Sequence, residues 1–411
     1  MTEKFNHCRV NYIRDGLIEE FHEGVMEIRK LGDSTDFSGK QPYYIRSCAK
    51  PLQASLLIDY GMDFTQKELA FCSGSHAGEI YHIETALKIM QKLGIDESYL
   101  KCGIHPPLSR AMQDRMLLEG KEPSVIQNNC SGKHLGFLAI CLKNGWDTET
   151  YFEPEHPLQI EVKKKIYELC KLNMPCNQFT TSDNNSDGYE DSVKEEDVSA
   201  FHTEADEEEI IGITTAAYRA KDDDENVNIK KIENYVDKAE GSNVSVPMHE
   251  SINDEERNGT TRVHNDYTGD NADALTYPVT TDGCGVPIVS MPLGNLLIGY
   301  ENLIKRYPRL INAIIENPYI YGGESRLDTE ILHNSEGILA KVGASGLCVV
   351  YNIKVGSGFV VKMNDASNEA RRIVVLEYLK RLGWADIEYD NKIRTLSGKV
   401  VGEITVTLDN M

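Results

Sequence analysis

Ser47 and Lys50 stand three residues apart in the tetrad Ser47-Cys48-Ala49-Lys50, which follows a β-like run and opens a helical pattern. On a helix that spacing is one turn, so the hydroxyl and the amine share a face and can meet. A lysine buried beside other cations can lose its proton near neutrality and take the serine's, leaving a nucleophile suited to acyl transfer. By itself the tetrad is more simply a serine cap followed by a surface lysine, so its surroundings must decide.

Three further stretches carry candidate chemistry. In Cys72–Glu79 (CSGSHAGE), Ser75 and His76 lie between two glycines just before a helix. Backbone N–H groups there could face a developing oxyanion, or the stretch could be only a glycine turn with a cap. Asn128–His134 (NNCSGKH) lacks the glycine spacing of a phosphate-binding loop, so Lys133 is not a phosphate lysine. Cys130 within it and Cys284, in the distant turn Thr281–Gly285 (TDGCG), could hold zinc with a neutral nitrogen and leave a fourth position open. Two isolated cysteines are more often inert and buried.

Taken together the motifs have an order. RSCAKPLQ at 46–53, SHAGE at 75–79, NNCSGKH at 128–134, TDGCGVP at 281–287 and AKVGASG at 340–346, with HPPLS from 105 and EHPLQ from 155, resemble the rhizobial-type (class 3) L-asparaginase family, asparaginase II. The resemblance spans the chain outside one acidic segment. It implies an α+β fold similar to the serine β-lactamases and glutaminases, with a mixed, largely antiparallel sheet flanked by helices and an adjoining helical region. It also implies an L-asparagine amidohydrolase working through a Ser-Lys acyl-enzyme, in a homodimer. By resemblance Ser47 pairs with Lys50 and Ser75 with Lys341. Cys130, Lys133 and Cys284 are the implied zinc ligands, and Arg46, His134 and Asp282 the implied substrate contacts, with Asp282 receiving an α-ammonium. Cys48 departs from that pattern by adding a thiol beside the nucleophile, and a low-pKa Cys48 would be oxidation-sensitive.

These residues need elements to carry them. Residues 8–47 mix short β-like runs with Gly and Asp turn signals, an antiparallel meander leading into a helix that begins near Ser47 and stops at Gly61. A second helix, 80–95, follows the Ser75 loop. NNCSGKH reads as a loop before an apolar helical run at 135–146, and 156–172 as one more amphipathic helix. Beyond the acidic segment, 278–308 reads as a turn followed by a helix, 337–353 and 356–365 as strands, and 369–383 as a helix.

Composition bounds the rest. The formal charge of −22 argues against a nucleic-acid partner, although it is concentrated: residues 181–277 hold 26 Asp and Glu against 8 Lys and Arg. That stretch lacks apolar periodicity and cannot bury enough surface to offset its ordering entropy. Residues 1–176 and 279–411 are therefore expected to be two parts of one catalytic domain, and 177–278 a disordered insertion. No apolar run approaches a membrane span and the N-terminus has no secretory apolar region, which predicts a cytoplasmic protein with its ten cysteines reduced. The rival readings are the same chemistry on glutamine or another amide, and a catalytically silent zinc- or amino-acid-binding protein.

Overall fold

The computed structural model describes residues 6–173 and 277–409, apart from 35, 38 and 39. The expected insertion at 177–278 thus lies outside the described residues, save for its last two positions.

The chain opens with strands β1 (Asn6–Arg14) and β2 (Leu17–Lys30), an antiparallel hairpin with a register shift at Tyr12/Ile13. Its turn is Asp15-Gly16, both at positive φ (48° and 83°), the backbone that matches strand twist in a two-residue hairpin. The later strands are β6 (Ile338–Val342), β7 (Leu347–Asn352), β8 (Ser357–Met363), β9 (Lys392–Arg394) and β10 (Val400–Leu408). With the hairpin they form a seven-stranded sheet in the order β6-β7-β8-β2-β1-β10-β9, antiparallel at every pairing. The meander expected at 8–47 is interrupted: β3 (Tyr43–Tyr44) leaves this sheet and pairs with β5 (Pro287–Met291), which in turn pairs with β4 (Val279–Thr281).

Strands β6 to β8 are covered on both faces. Ile338, Ala340 and Val342 pack with Cys348, Val350, Phe359 and Val361 beneath helix α11 (Asn368–Arg381). The alternate residues Leu339, Val349 and Val360 enter the main core, which they share with helices α1 (Lys50–Asp59) and α7 (Leu293–Arg306). Period-2 alternation puts Lys341 on the same side as Leu339, facing the helical region. That region comprises α1, α2 (Gln66–Ser73), α3 (Ile80–Leu93), α4 (Arg110–Glu119), α5 (Ser131–Asn144) and α6 (Pro157–Leu169). After α7 follow α8 (Pro308–Glu316), the short α9 (Pro318–Tyr321) and α10 (Leu327–Asn334). The α+β class is as expected. No helix among the described residues is long and apolar enough to cross a membrane.

Several expected boundaries shift in ways that matter for the motifs. A 3-10 turn over Arg46–Ala49 precedes α1, so Ser47 lies on that turn and Lys50 begins the helix. Helix α2 is an addition to the expected elements, started by a capping box between Thr65 and Glu68 and ending immediately before the Ser75 loop. NNCSGKH is half helix: Cys130 is the N-cap of α5, and Ser131 to His134 form its first turn. At 278–308 the turn is the tip of the β4–β5 hairpin, and α7 follows two strands.

Candidate active site

Arg46 sits at φ 44°, a left-handed backbone uncommon for a residue with a Cβ and costing roughly 1–2 kcal/mol. Its side chain is fixed at the far end, where Nε donates to Asp282 Oδ1 at 2.8 Å and Nη1 reaches Ser345 Oγ at 3.4 Å. Asp282 is itself held by the hairpin tip, accepting from Gly283 N on the same oxygen. Ser47 follows Arg46, half-buried, and its hydroxyl makes no side-chain hydrogen bond among the described residues. Cys48 points inward, fully buried, with Sγ on the Lys341 carbonyl at 3.2 Å. Burial pushes its thiol above the ordinary range, so Cys48 is not the low-pKa, oxidation-sensitive thiol the sequence suggested.

Lys50 is 1% exposed, and its Nζ lies 2.9 Å from Ser75 Oγ and 2.9 Å from the Asn129 carbonyl. A neutral amine has two hydrogens and one lone pair. It can donate to the carbonyl and accept the hydrogen of Ser75. Burial is the largest influence lowering the Lys50 pKa, with the charges of Lys133 and Lys341 lowering it further against an opposing effect of Cys130 and Cys284.

Ser75 arrives here because Gly74 lets two backbones touch. A Cβ on Gly74 would stand 1.9 Å from the Tyr321 carbonyl oxygen, the group that accepts the Ser75 N–H at 3.0 Å. The neighbouring His76 has a different role. Its Nδ1 accepts from Gly78 N, so Nε2 carries the hydrogen and donates to Ser131 Oγ at 2.8 Å, whose own proton goes to the Ile126 carbonyl. That His–Ser contact therefore offers Ser131 no base.

On the other wall, α5 and the hairpin tip bring together Cys130, Lys133, His134 and Cys284, all buried. Lys133 Nζ stands 3.0 Å from Cys284 Sγ. A hydrogen bond from Cys130, together with the Lys133 charge, holds the Cys284 thiol well below its ordinary range against the effect of burial. The same hydrogen bond and burial raise Cys130. Burial alone would lower Lys133, but Cys284 and Cys130 override it and leave its pKa raised. The cluster thus pushes its two thiols in opposite directions beside the Lys133 amine.

His134 Nδ1 meets the Tyr151 hydroxyl at 2.7 Å. Tyr151 accepts from Lys101 N, so its own hydrogen goes to Nδ1 and the histidine hydrogen belongs on Nε2. That Nε2 is buried and turned to the Cys284 sulfur, and the contact helps draw the thiol down. Burial lowers the His134 pKa to about 4, so the ring is neutral.

Two sulfurs and an amine beside an imidazole nitrogen make a soft to borderline donor set, the kind that suits zinc. No three His, Cys, Asp or Glu side chains group as metal ligands among the described residues. The set depends on Lys133, which would have to bind as a neutral amine.

Lys341 is fully buried but is not turned to Ser75. Its Nζ donates to Asp328 Oδ2 at 3.1 Å and to the Val342 carbonyl at 2.8 Å. The pairing therefore differs from the expected one: Ser75 is bonded to Lys50, and Lys341 to a carboxylate. Asp328, Tyr321, Asn129 and Tyr151 all contact predicted site residues, and sequence reasoning named none of them. Only Asn129 lay inside a recognised motif.

The sequence pattern of the L-asparaginase II family matches residues 10–183 and 248–406, leaving 184–247 unmatched. No curated protein gives a significant match. The match takes in all ten predicted site residues, and the chain belongs to the L-asparaginase II family.

Proposed function

We propose that this member of the L-asparaginase II family hydrolyses L-asparagine to L-aspartate and ammonia through a serine acyl-enzyme. The observation that carries the reading is the buried Lys50 amine on Ser75 Oγ at 2.9 Å, beside a half-buried Ser47 one turn earlier. Burial and the neighbouring Lys341 charge favour a neutral Lys50 able to accept a proton.

Ser47 is the serine that substrate can reach. Its oxygen attacks the side-chain amide carbon while its proton passes by way of Ser75 to Lys50. The Lys50 ammonium then protonates the departing nitrogen, and ammonia leaves. Water cleaves the resulting ester as Lys50 takes its proton, and the proton returned to Ser47 restores the enzyme. Lys341 and loop N–H groups stabilise the oxyanion. Arg46 offers a guanidinium for the α-carboxylate, Asp282 a carboxylate for the α-ammonium, and His134 an Nε2–H donor. Ser75 as the acyl acceptor is a second reading, favoured by its direct bond to Lys50.

Cys130, Lys133 and Cys284 would hold zinc, which when bound supplies a fixed positive charge that positions the substrate. A serine β-lactamase/glutaminase-like fold is supported by an antiparallel sheet under α11 with the Ser-Lys tetrad opening a buried helix on its other side. An insertion between two parts of one catalytic domain is supported by the unmatched stretch 184–247. The nine described cysteines are all free thiols, in keeping with the cytoplasm. For the homodimer, Ile104, Leu117 and Leu118 offer exposed apolar surface around α4.

The test is ammonia release by purified, zinc-loaded protein from asparagine and, separately, glutamine. Turnover of asparagine with a larger kcat/KM than glutamine is expected. A preference for glutamine would move the substrate assignment, and no release from either would favour a silent binding protein.

A further inference from the structure

Among the described residues, the most deeply buried charge that the mechanism leaves unused is a carboxylate. Asp328, in the first turn of α10, has a side chain with no exposure and faces Lys341, which has none either. Asp328 Oδ2 accepts from Lys341 Nζ at 3.1 Å and from Val342 N at 3.3 Å, while Arg326 Nε stands 3.9 Å from Oδ1. Burial would raise this carboxyl, but the Lys341 and Arg326 charges override it and hold it below the usual carboxylate range. A pair buried this deeply gives the fold little that an apolar pair would not. Its value has to be sought in what the charge does to its surroundings.

Those surroundings are the site. The Tyr321 ring lies 5.4 Å from Lys341 Nζ, and the Tyr321 carbonyl accepts the Ser75 N–H at 3.0 Å, so one buried tyrosine touches both groups. With its hydrogens directed to Asp328 and the Val342 carbonyl, Lys341 is tied to two acceptors, neither of them a serine. Lys50, by contrast, is bonded to Ser75. It is faced by Lys341 from β6, by Cys130 and Lys133 from α5, and by Cys284 from the hairpin tip.

We propose that Asp328 is a positioning residue for the amidohydrolase site: its buried ion pair fixes Lys341 as a permanent cation and so leaves Lys50 as the group that accepts the serine's proton. The inference rests on the serine acyl-enzyme reading above and divides the labour of its two lysines. Lys341 contributes field, to the oxyanion and against protonation of Lys50. Lys50 contributes the lone pair. Without Asp328, Lys341 would be a buried amine with no counter-ion, and burial would favour its neutral form. The cation would be lost even though the lysine remained.

The experiment compares wild type with Asp328→Asn and with the double variant Asp328→Asn/Lys341→Met, which removes both charges and spares the fold an unpaired one. Two readouts are taken, steady-state ammonia release and the charge state of each lysine by NMR of 13C-labelled side chains across pH. Asp328→Asn should lower kcat about 100-fold or more while changing KM less than about 3-fold, because the cation acts on the transition state. The acid limb of its kcat/KM profile should move to higher pH, since Lys50 loses a neighbouring positive charge. NMR should show Lys341 titrating at lower pH in Asp328→Asn than in wild type. The double variant should fold and remain as slow as the single one. Recovery of wild-type activity by the double variant, an unmoved acid limb in Asp328→Asn, or a Lys341 resonance that titrates identically with and without Asp328 would each overturn the proposal. The NMR arm needs no turnover, so an inactive wild type would fail the amidohydrolase reading and still leave Asp328's hold on Lys341 decided.

Discussion

Lys50 Nζ lies 2.9 Å from Ser75 Oγ and 2.9 Å from the Asn129 carbonyl, so a single buried amine joins the glycine loop after α2 to the residue just before the N-cap of α5. The contact pins three segments that are distant in sequence, and it decides where a serine proton can go. It also differs from the simplest reading of a Ser-x-x-Lys tetrad, in which the lysine would serve the serine one turn before it.

That relationship sets the first prediction. Lys50→Met should lower kcat by about 10²–10⁴-fold, the usual contribution of a positioned base. Ser47→Ala should be at least as severe, and Ser75→Ala should retain more activity, because a relay is easier to bypass than an acyl acceptor. Because burial lowers the Lys50 pKa and the base must be neutral, activity should fall as pH drops through that lowered value, at a pH below the ordinary lysine range. Mass spectrometry of acid-quenched enzyme should find the acyl group on Ser47. Its presence on Ser75 would exchange the roles of the two serines.

The Cys130–Lys133–Cys284 cluster yields a metal prediction. Purified protein should carry about one zinc per chain, and Cys284→Ala and Cys130→Ala should each lower its retention, because both sulfurs lie beside the Lys133 amine. Elemental analysis of the three proteins checks this. Unchanged zinc in both variants would take these cysteines out of the ligand set.

Buried neutral histidines make a prediction about acid stability. Burial lowers His82 and His134 to about 4, below the unfolded value near 6.5. A depressed folded pKa means the unfolded chain binds protons first. Both residues therefore leave stability untouched above about pH 6.5 and erode it as pH falls toward 4, by roughly 2 kcal/mol each at pH 5. Urea unfolding at pH 7 and pH 5 should show the loss. Histidine C2–H resonances of His82 and His134 should keep their neutral shifts through that interval, and early titration would contradict the burial argument.

What could be read in advance follows from how far apart cooperating residues lie. Ser47 and Lys50 are within one turn of each other, so spacing permits them to meet, and the resemblance adds the pairing and the ligand set. Of the β1–β2 hairpin only short β-like runs with Gly and Asp turn signals were legible; its turn is Asp15-Gly16, at positive φ on both residues. Helix α2 escaped notice at eight residues, although Thr65 and Glu68 spell a capping box. Asp328 carried no signal, because its partner sits on a strand beyond the next turn and no local period links them. The Ser75–Lys341 pairing was an implication of the family resemblance, whereas α2 and the Gly74 contact set Ser75 Oγ on Lys50.

The final prediction is that replacing residues 184–247 with a short Gly-Ser linker leaves a folded enzyme with near-wild-type kcat and KM. The family pattern resumes on both sides of that stretch, and all predicted site residues lie outside it. The described chain on either side is anchored: Tyr167, near the end of α6, and Tyr277, just before β4, are both buried in the main core. Tyr277 also helps raise the Tyr167 pKa, after burial, so the two side chains are near one another and the chain ends do not need a long span to meet. Shortening a loop between fixed ends lowers its closure entropy only slightly, by about 0.6 kcal/mol for each halving of length, so stability should be unchanged or a little higher. The stretch is strongly acidic, and its removal should also raise the isoelectric point from about 5.0. Thermal unfolding and ammonia release of the deletion variant, measured beside the full chain, decide the matter. A folded variant with depressed kcat would show that residues 184–247 shape the site, and an insoluble one would show that the core depends on them.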